Sequence, residues 1–387
     1  DVGFIRLQFT DVFGTVKNIA VTAGQLEQAL NNECSFDGSG IDGFVRIEED
    51  DMYLYPDLDS FEIFPWRPQT GKVARLICDI HKCDGTPFEG DSRYILKRVV
   101  REAAKMGIYP YIAPECEFCL FPYDTDGEVM LQTQGHGSYF DVAPLDTGEN
   151  VRRDIILALE DMGIDVRSSY HEHSPYQHEI DLQPVNALAA ADNIVTFRMT
   201  CKTIASRHGL HATFMPKPMN DSDGCGMHLK MTLMDLEGNN ILSDPADSYG
   251  LSELGYHFMA GIMAHVRGLT AVTNPLVNSY KRIVPGNEAP AYIVWSSGNR
   301  SPLISVPRTS AKDMHIELRN PDPCVNSYLA FAGIIAAGLE GMKKGLAEGM
   351  EKGMNKRSLE IARKMLANGM DAATVMKITG LSESQLQ

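Results

Sequence analysis

Up to residue 92, short apolar runs such as "FIRLQFTD", "TVKNIAV", "MYLYPD" and "VARLICDI" are separated by Gly/Asp turns. This spacing predicts a small mixed β domain with one helix near 23–32. The turn-rich "CDGTPFEGDSR" (83–93) forms a joint, after which "YILKRVVREAAKMG" switches to a helical period. From 93 to 340, strand-like runs alternate with long helical ones. "YIAPECEFCLF", "HEIDL" and "GMHLKMTLMD" predict strands, and helices are expected over 149–163, 184–208 and 250–269. Together they describe an α+β domain with a sizeable antiparallel sheet.

A third segment, 341–387, changes character. "GMKKGLAEGMEKGMNK" spaces glycines four apart, along one slowly drifting helix face. Each such glycine costs about 1 kcal/mol against alanine, so the stripe implies close backbone packing, between subunits in the simplest case. "DAATVMKITGLSESQL" predicts two short helices around Gly380, a docking pair in preference to a DNA-binding helix-turn-helix.

Composition narrows the function. The formal charge of −16 argues against a general nucleic-acid coat and requires a local basic or metal-lined pocket for any anionic substrate. The longest apolar run, "YLAFAGIIAAGL" (328–339), is too short to span a bilayer, and no basic segment leads an apolar signal core. A cytoplasmic location is expected, with no membrane partner. The 8 scattered cysteines fit reduced thiols.

The chemistry gathers at "APECEFCLFPYD" (113–124), which offers either a soft C-x-x-C site or a carboxylate pair. In a strand, Glu115 and Glu117 share a face while Cys116 and Cys119 oppose each other. The cysteines therefore serve best as buried hydrophobes. Two carboxylates side by side repel unless a cation lies between them. "YHEHSPYQHEIDL" adds Glu172 and Glu179, "DGCGMHLKM" adds His228, and "MHIELRNPDP" adds Glu317 beside Arg319. Oxygen ligands with one imidazole suit Mg²⁺ or Mn²⁺ rather than structural zinc.

Those segments stand in order with "FDGSGIDGFVRIEEDDMYLYPD" (36–57), "DGTPFEGDSR" (84–93), "ATFMPKP" (212–218), "NSYKRIVPGNEAP" (278–290) and "NRSPL" (299–303). Over about residues 1–340 the chain resembles a type I glutamine synthetase. The resemblance implies an N-terminal β-grasp domain (1–92), a catalytic domain of the glutamine synthetase/guanido kinase type (93–340) and a helical extension (341–387). It also implies a homo-oligomeric ring with active sites between subunits. The activity implied is ATP-dependent joining of glutamate to ammonia, or a small amine, through a γ-glutamyl phosphate. Two or three Mg²⁺ or Mn²⁺ ions would serve each site.

Residue roles follow from the same resemblance. Glu117, Glu172 and Glu179 match the ligands of one metal, and Glu115, His228 and Glu317 those of a second. Arg282, Arg300 and Arg319 match arginines on substrate carboxylate and phosphoryl groups, with Gly224 beside the glutamate site. Glu288 matches a flap that shields the intermediate. Asp37, with Tyr139 nearby, matches the ammonium site, and Lys312 a nucleotide contact. Ser305, His315 and Arg167 depart from the family at the nucleotide, Asp223 and Gly40 at the substrates. Lys230, on the face of His228, is a candidate compensating cation for the phosphates. The family's usual C-terminal strap is expected to be replaced by 341–387. These departures motivate the alternatives of a catalytically weak homologue acting as a binding or regulatory subunit, or of a ligase or kinase for a different carboxylate or guanidino substrate.

Overall fold

The computed structural model describes residues 2–46, 49–131, 137–286, 289–299, 301–345, 359, 361–367, 370–379 and 381. Its first sheet has five strands, β1 (Val2–Thr10), β2 (Val16–Thr22), β3 (Ser35–Phe36), β4 (Met52–Ile63) and β5 (Lys72–His81), ordered β2-β1-β5-β4-β3. β1 and β5 run parallel while the other pairs are antiparallel, and a short helix, α1 (Leu26–Leu30), follows β2. Inward positions Ile5, Leu7, Leu54, Leu76 and Ile80 make a separate small core.

The second sheet has nine strands: β6 (Tyr109–Pro122), β7 (Val166–His171), β8 (Gln177–Leu182), β9 (Val185–Asn186), β10 (Leu210–Thr213), β11 (Met227–Met234), β12 (Trp295–Ser296), β13 (Ile304–Ser305) and β14 (Ile316–Leu318). β6 is central, flanked by β11 and β8. The pairing is antiparallel as expected, except that β12 and β13 run parallel. Along β6 the side chains alternate as the sequence requires. Cys116, Phe118 and Leu120 enter the main core, and Glu115 and Glu117 take the other face.

Helices α2 (Ser92–Lys105), α3 (Glu149–Glu160), α4 (Ala187–Arg207), α5 (Glu253–Thr273) and α7 (Ser327–Lys344) share that main core; a single turn, α6 (Ser279–Arg282), precedes residue 287. Side-chain caps fix the starts of α2, α4, α5 and α7. Asp91, Asn186, Ser252 and Asn326 each accept a backbone N–H from the first turn. Asn326 also donates to the Asp11 and Val12 carbonyls, at 3.2 and 3.1 Å, and so links α7 to the first sheet. Arg93 on α2 adds ion pairs of 2.7, 2.7 and 2.9 Å to Asp57, Asp79 and Asp192.

The glycine stripe is used inside the chain at its first member. A Cβ on Gly341 would lie 2.6 Å from Gly261 Cα on α5, so α5 and α7 touch backbone to backbone. The expected intersubunit role is thus replaced at Gly341 by intrachain packing. Gly345 ends α7 in the left-handed conformation (φ 63°), where a side chain would be strained. Gly349 and Gly353 lie outside the described residues. Beyond them, residues 361–367 and α8 (Ala372–Thr379) form helices whose Ala362, Met365 and Val375 pack with Tyr292. The docking helix before Gly380 is present, and the expected one after it lies outside the described residues. Among the described residues, no helix is long and apolar enough to cross a membrane.

Candidate active site

Strand register assembles the site. Glu115 and Glu117 on β6 stand opposite Asp181 and Glu179 on β8. His228 on β11 stands opposite Glu115, and Lys230 opposite Glu317 on β14. Glu172 follows β7 directly. All seven of these acids and imidazole, with Lys230 and Arg319, line one cleft of about 580 Å³. Tyr139 forms part of its wall, stacked on His173 with ring centroids 4.2 Å apart.

Ligand atoms of Glu115, His228 and Glu317 lie within 4.8 Å of one another, as do those of Glu115, Glu179 and Asp181. An ion with bonds of about 2.1 Å spans about 4 Å between opposite ligands, so both groups are of cation size. His228 Nδ1 is 3.7 Å from both Glu115 and Glu317, and its Nε2 is 3.9 Å from Glu117. Burial, and then the Arg319 charge, lower the His228 pKa and favour the neutral imidazole that a metal ligand presents. Glu117 and Glu172 complete the cleft around Glu179.

The carboxylates fall into two electrostatic groups. Burial pushes Glu115 up, but the His228 hydrogen bond and the Lys230 charge outweigh it and hold its pKa at about 2. Glu172 and Glu179 are raised by burial and then by the nearby Glu117, and Asp181 by burial and Glu115. Neutral hydroxyls donate to two of them: Tyr170 to Glu179 at 2.7 Å, and Ser168 to Asp181 at 2.5 Å. Asp181 Oδ1 is buried with no hydrogen-bond donor placed on it among the described residues. Crowded, protonation-prone carboxylates with an unsatisfied oxygen are the signature of a site built for cations, and the donor set fits hard divalent ions.

A smaller pocket adjoins the cleft, lined by Asp223, Gly224, Gln177, Arg282 and Arg319. A Cβ on Gly224 would strike the Pro216 carbonyl, so only glycine fits. Arg282 is buried and donates to the Asn320 and Arg319 carbonyls at 3.0 and 3.1 Å. Arg319 pairs with Glu317, and its Nε is buried with no partner among the described residues. Of the family departures, Ser305, His315 and Arg167 line the main cleft.

Not every expected residue comes to the cleft within one chain. Asp37 is exposed on the first domain, accepting a 2.8 Å hydrogen bond from the Ser39 amide, and Lys312 is exposed outside the cleft. Glu288 and Arg300 lie outside the described residues. Sequence reasoning missed Asp181, Tyr170 and Gln177, which holds Glu117 at 2.7 Å. Period two from Glu179 reaches both Asp181 and Gln177, so the signal was present. A further buried trio, Asp146, His171 and His178, already contains a cation: Arg152 lies 2.7 Å from Asp146 and 2.9 Å from His178. The cysteines behave as expected. Cys119 Sγ lies 3.6 Å from Cys225 Sγ on the glutamate face, Cys116 is in the core behind, and all eight are free.

A two-domain α+β chain that converges acids and one imidazole on a basic-edged cleft defines the class of metal-dependent enzymes acting on anionic substrates. The comparisons with known proteins name the family. The sequence models for "Glutamine synthetase, beta-Grasp domain" and "Glutamine synthetase, catalytic domain" match residues 1–83 and 89–375, and the chain belongs to the glutamine synthetase family. It is 56% identical over 345 residues to a glutamine synthetase of Clostridium saccharobutylicum, and 55% over 347 residues to one of Staphylococcus aureus. Each match covers 89% of this chain and 78% of the relative. Among solved structures, Plasmodium falciparum glutamine synthetase superimposes with a TM-score of 0.81 at 29% identity, covering 89% of this chain and 73% of that one. GmaS in complex with ADP gives 0.81 at 31% identity, covering 89% and 79%.

Proposed function

We propose that this chain is an ATP-dependent ligase that joins glutamate to ammonia, or to a small amine, through a γ-glutamyl phosphate. The observation that carries this reading is the convergence of Glu115, Glu117, Glu172, Glu179, His228 and Glu317 on one cleft. A decayed homologue would be expected to lose part of that set, so the binding-subunit alternative is not favoured.

The acids and His228 would hold Mg²⁺ or Mn²⁺, two or three per site, with Glu117, Glu172 and Glu179 around one position and Glu115, His228 and Glu317 around another. When bound, such ions screen the repulsion between ATP and glutamate and stabilise charge on the transferred phosphoryl group. Arg319, whose Nε has no partner among the described residues, offers a buried donor to a carboxylate or phosphoryl oxygen. Arg282 fastens the Arg319–Asn320 backbone and so aims that donor. Gly224 lets the pocket's backbone close against Pro216 beside the glutamate position, where Asp223 disfavours a second unprotonated carboxylate. Arg300 would contact the phosphoryl group, and Lys312 and Lys230 the nucleotide.

Asp37 would take the proton from an incoming ammonium, with Tyr139 against the amine. Its exposed position away from the cleft is supplied in a ring by the neighbouring copy's first domain. Glu288 would close over the intermediate to exclude water. With a glycine at position 40, the amine pocket has room for a group larger than ammonia. A cytoplasmic homo-oligomer is the setting this reading implies. Phosphate release from Mg·ATP with L-glutamate, tested against ammonium, hydroxylamine, short amines and polyamines, decides it. Turnover with at least one amine is expected; no turnover with any pair and no ATP binding by calorimetry would sink the ligase.

A further inference from the structure

Lys230 and Glu115 are joined in a direct ion pair at the heart of the cleft. Glu115 is also within 3.7 Å of His228, which lies 3.7 Å from Glu317 on its other side. The ammonium therefore sits on a carboxylate that belongs to the cation-sized Glu115–His228–Glu317 group. Arg319 already neutralises Glu317 from the other side. A divalent ion entering this group must share Glu115 with a unit positive charge at hydrogen-bond range, and the two cations repel strongly in so buried a place.

The lysine is built to leave. Its side chain is 19% exposed, on a flexible four-carbon stem anchored on the cleft-facing side of β11. Around it the cleft wall holds Ser305, a neutral hydroxyl, and His315, whose Nδ1 is occupied by the Asp313 carbonyl at 2.7 Å. An anionic phosphate entering beside Ser305 finds Lys230 as a long, mobile cation within the same cleft.

We infer that Lys230 is a built-in competitor for the Glu115–His228–Glu317 cation position, displaced by a divalent ion when nucleotide phosphates accept its ammonium. The inference rests on the metal reading given under the proposed function, and adds that occupancy of this position is coupled to the nucleotide through one side chain. Lys230 is a positioning residue in this role, since it governs which cation Glu115 holds.

The test is Mn²⁺ titration of the full-length, nucleotide-free protein, followed by electron paramagnetic resonance, for the wild type and Lys230→Met. One class of Mn²⁺ position is expected to tighten at least tenfold in the variant. A non-hydrolysable ATP analogue should tighten Mn²⁺ binding in the wild type and do so several-fold less in the variant. Metal-free Lys230→Met should also melt at a lower temperature and recover more on adding Mn²⁺, because its carboxylates have lost their counter-ion. If the variant does not fold, Lys230→Gln takes its place in the same titrations. Superimposable Mn²⁺ isotherms for wild type and variant overturn the inference while leaving the metal reading intact. A wild type that binds no Mn²⁺, with or without nucleotide, overturns the metal reading itself.

Discussion

Gln177 carries no charge, yet it holds two parts of the site together. Its amide donates to Glu117 at 2.7 Å and to the Gly224 carbonyl at 3.2 Å, tying a carboxylate to the smaller pocket. Supporting partners of this kind are worth about 10–100-fold in metal affinity. Gln177→Leu is therefore expected to weaken Mn²⁺ binding by about that factor with little change in fold, as read by calorimetry and circular dichroism. The raised carboxylates give a second expectation. Metal-free and folded, Glu172, Glu179 and Asp181 keep their protons to higher pH than in the unfolded chain, so stability falls as pH rises above their ordinary values of 4.5 for glutamate and 3.8 for aspartate. Saturating Mg²⁺ or Mn²⁺ should flatten or reverse that trend, because the ion stabilises the deprotonated form. Urea midpoints measured across pH with and without metal check it; midpoints that rise with pH in the metal-free protein would contradict the assigned shifts. At this scale the residue types were legible, and period two from Glu179 pointed to Asp181; that Asp181 faces Glu115 was not legible. Its neighbours Glu179 and Glu115 come from different strands, and its importance arises from facing both.

Within elements, the alternation of β6 was the strongest local signal, since period two alone separates Glu115 and Glu117 from Cys116. Helix positions came within a few residues because long apolar periods and the caps Asn186 and Ser252 mark them. The glycine stripe was legible as a demand for close packing but not as a choice of partner. Gly341 meets Gly261 of the same chain, which lies far away in sequence and carries no matching local pattern. Gly341→Ala should destabilise the protein by about 1–3 kcal/mol through overpacking, against the gain in helix propensity that an open position would show. Chemical denaturation distinguishes the two signs: a more stable variant would mean the α5–α7 contact is looser than the backbone approach indicates.

For the whole molecule, the two sheets are held together by Arg93, which joins Asp57 and Asp79 of the first domain to Asp192 of the second, and by Asn326 at the other end of the joint. The first domain is thus fixed relative to its own catalytic domain, and Asp37 is held away from its own cleft. If a neighbouring copy completes the site, mixing subunits is informative. Asp37→Ala and Glu117→Gln, each inactive alone, should regain a substantial fraction of activity when co-assembled, since some sites then combine an intact Asp37 with an intact cleft. No recovery in verified mixed oligomers would place Asp37 outside the amine site. The sequence by itself determined the order of strands and helices, the side of β6 that carries the carboxylates, and the residue types of the proposed hard-metal site. Local periodicity and side-chain chemistry suffice for those. Only the tertiary structure decided that Lys230 rests on Glu115, that Asp181 joins Glu115 and Glu179, and that Gly341 packs on Gly261. Each depends on which distant segments pair and in what register, and that is settled by burial of the whole core rather than by any short stretch of the chain.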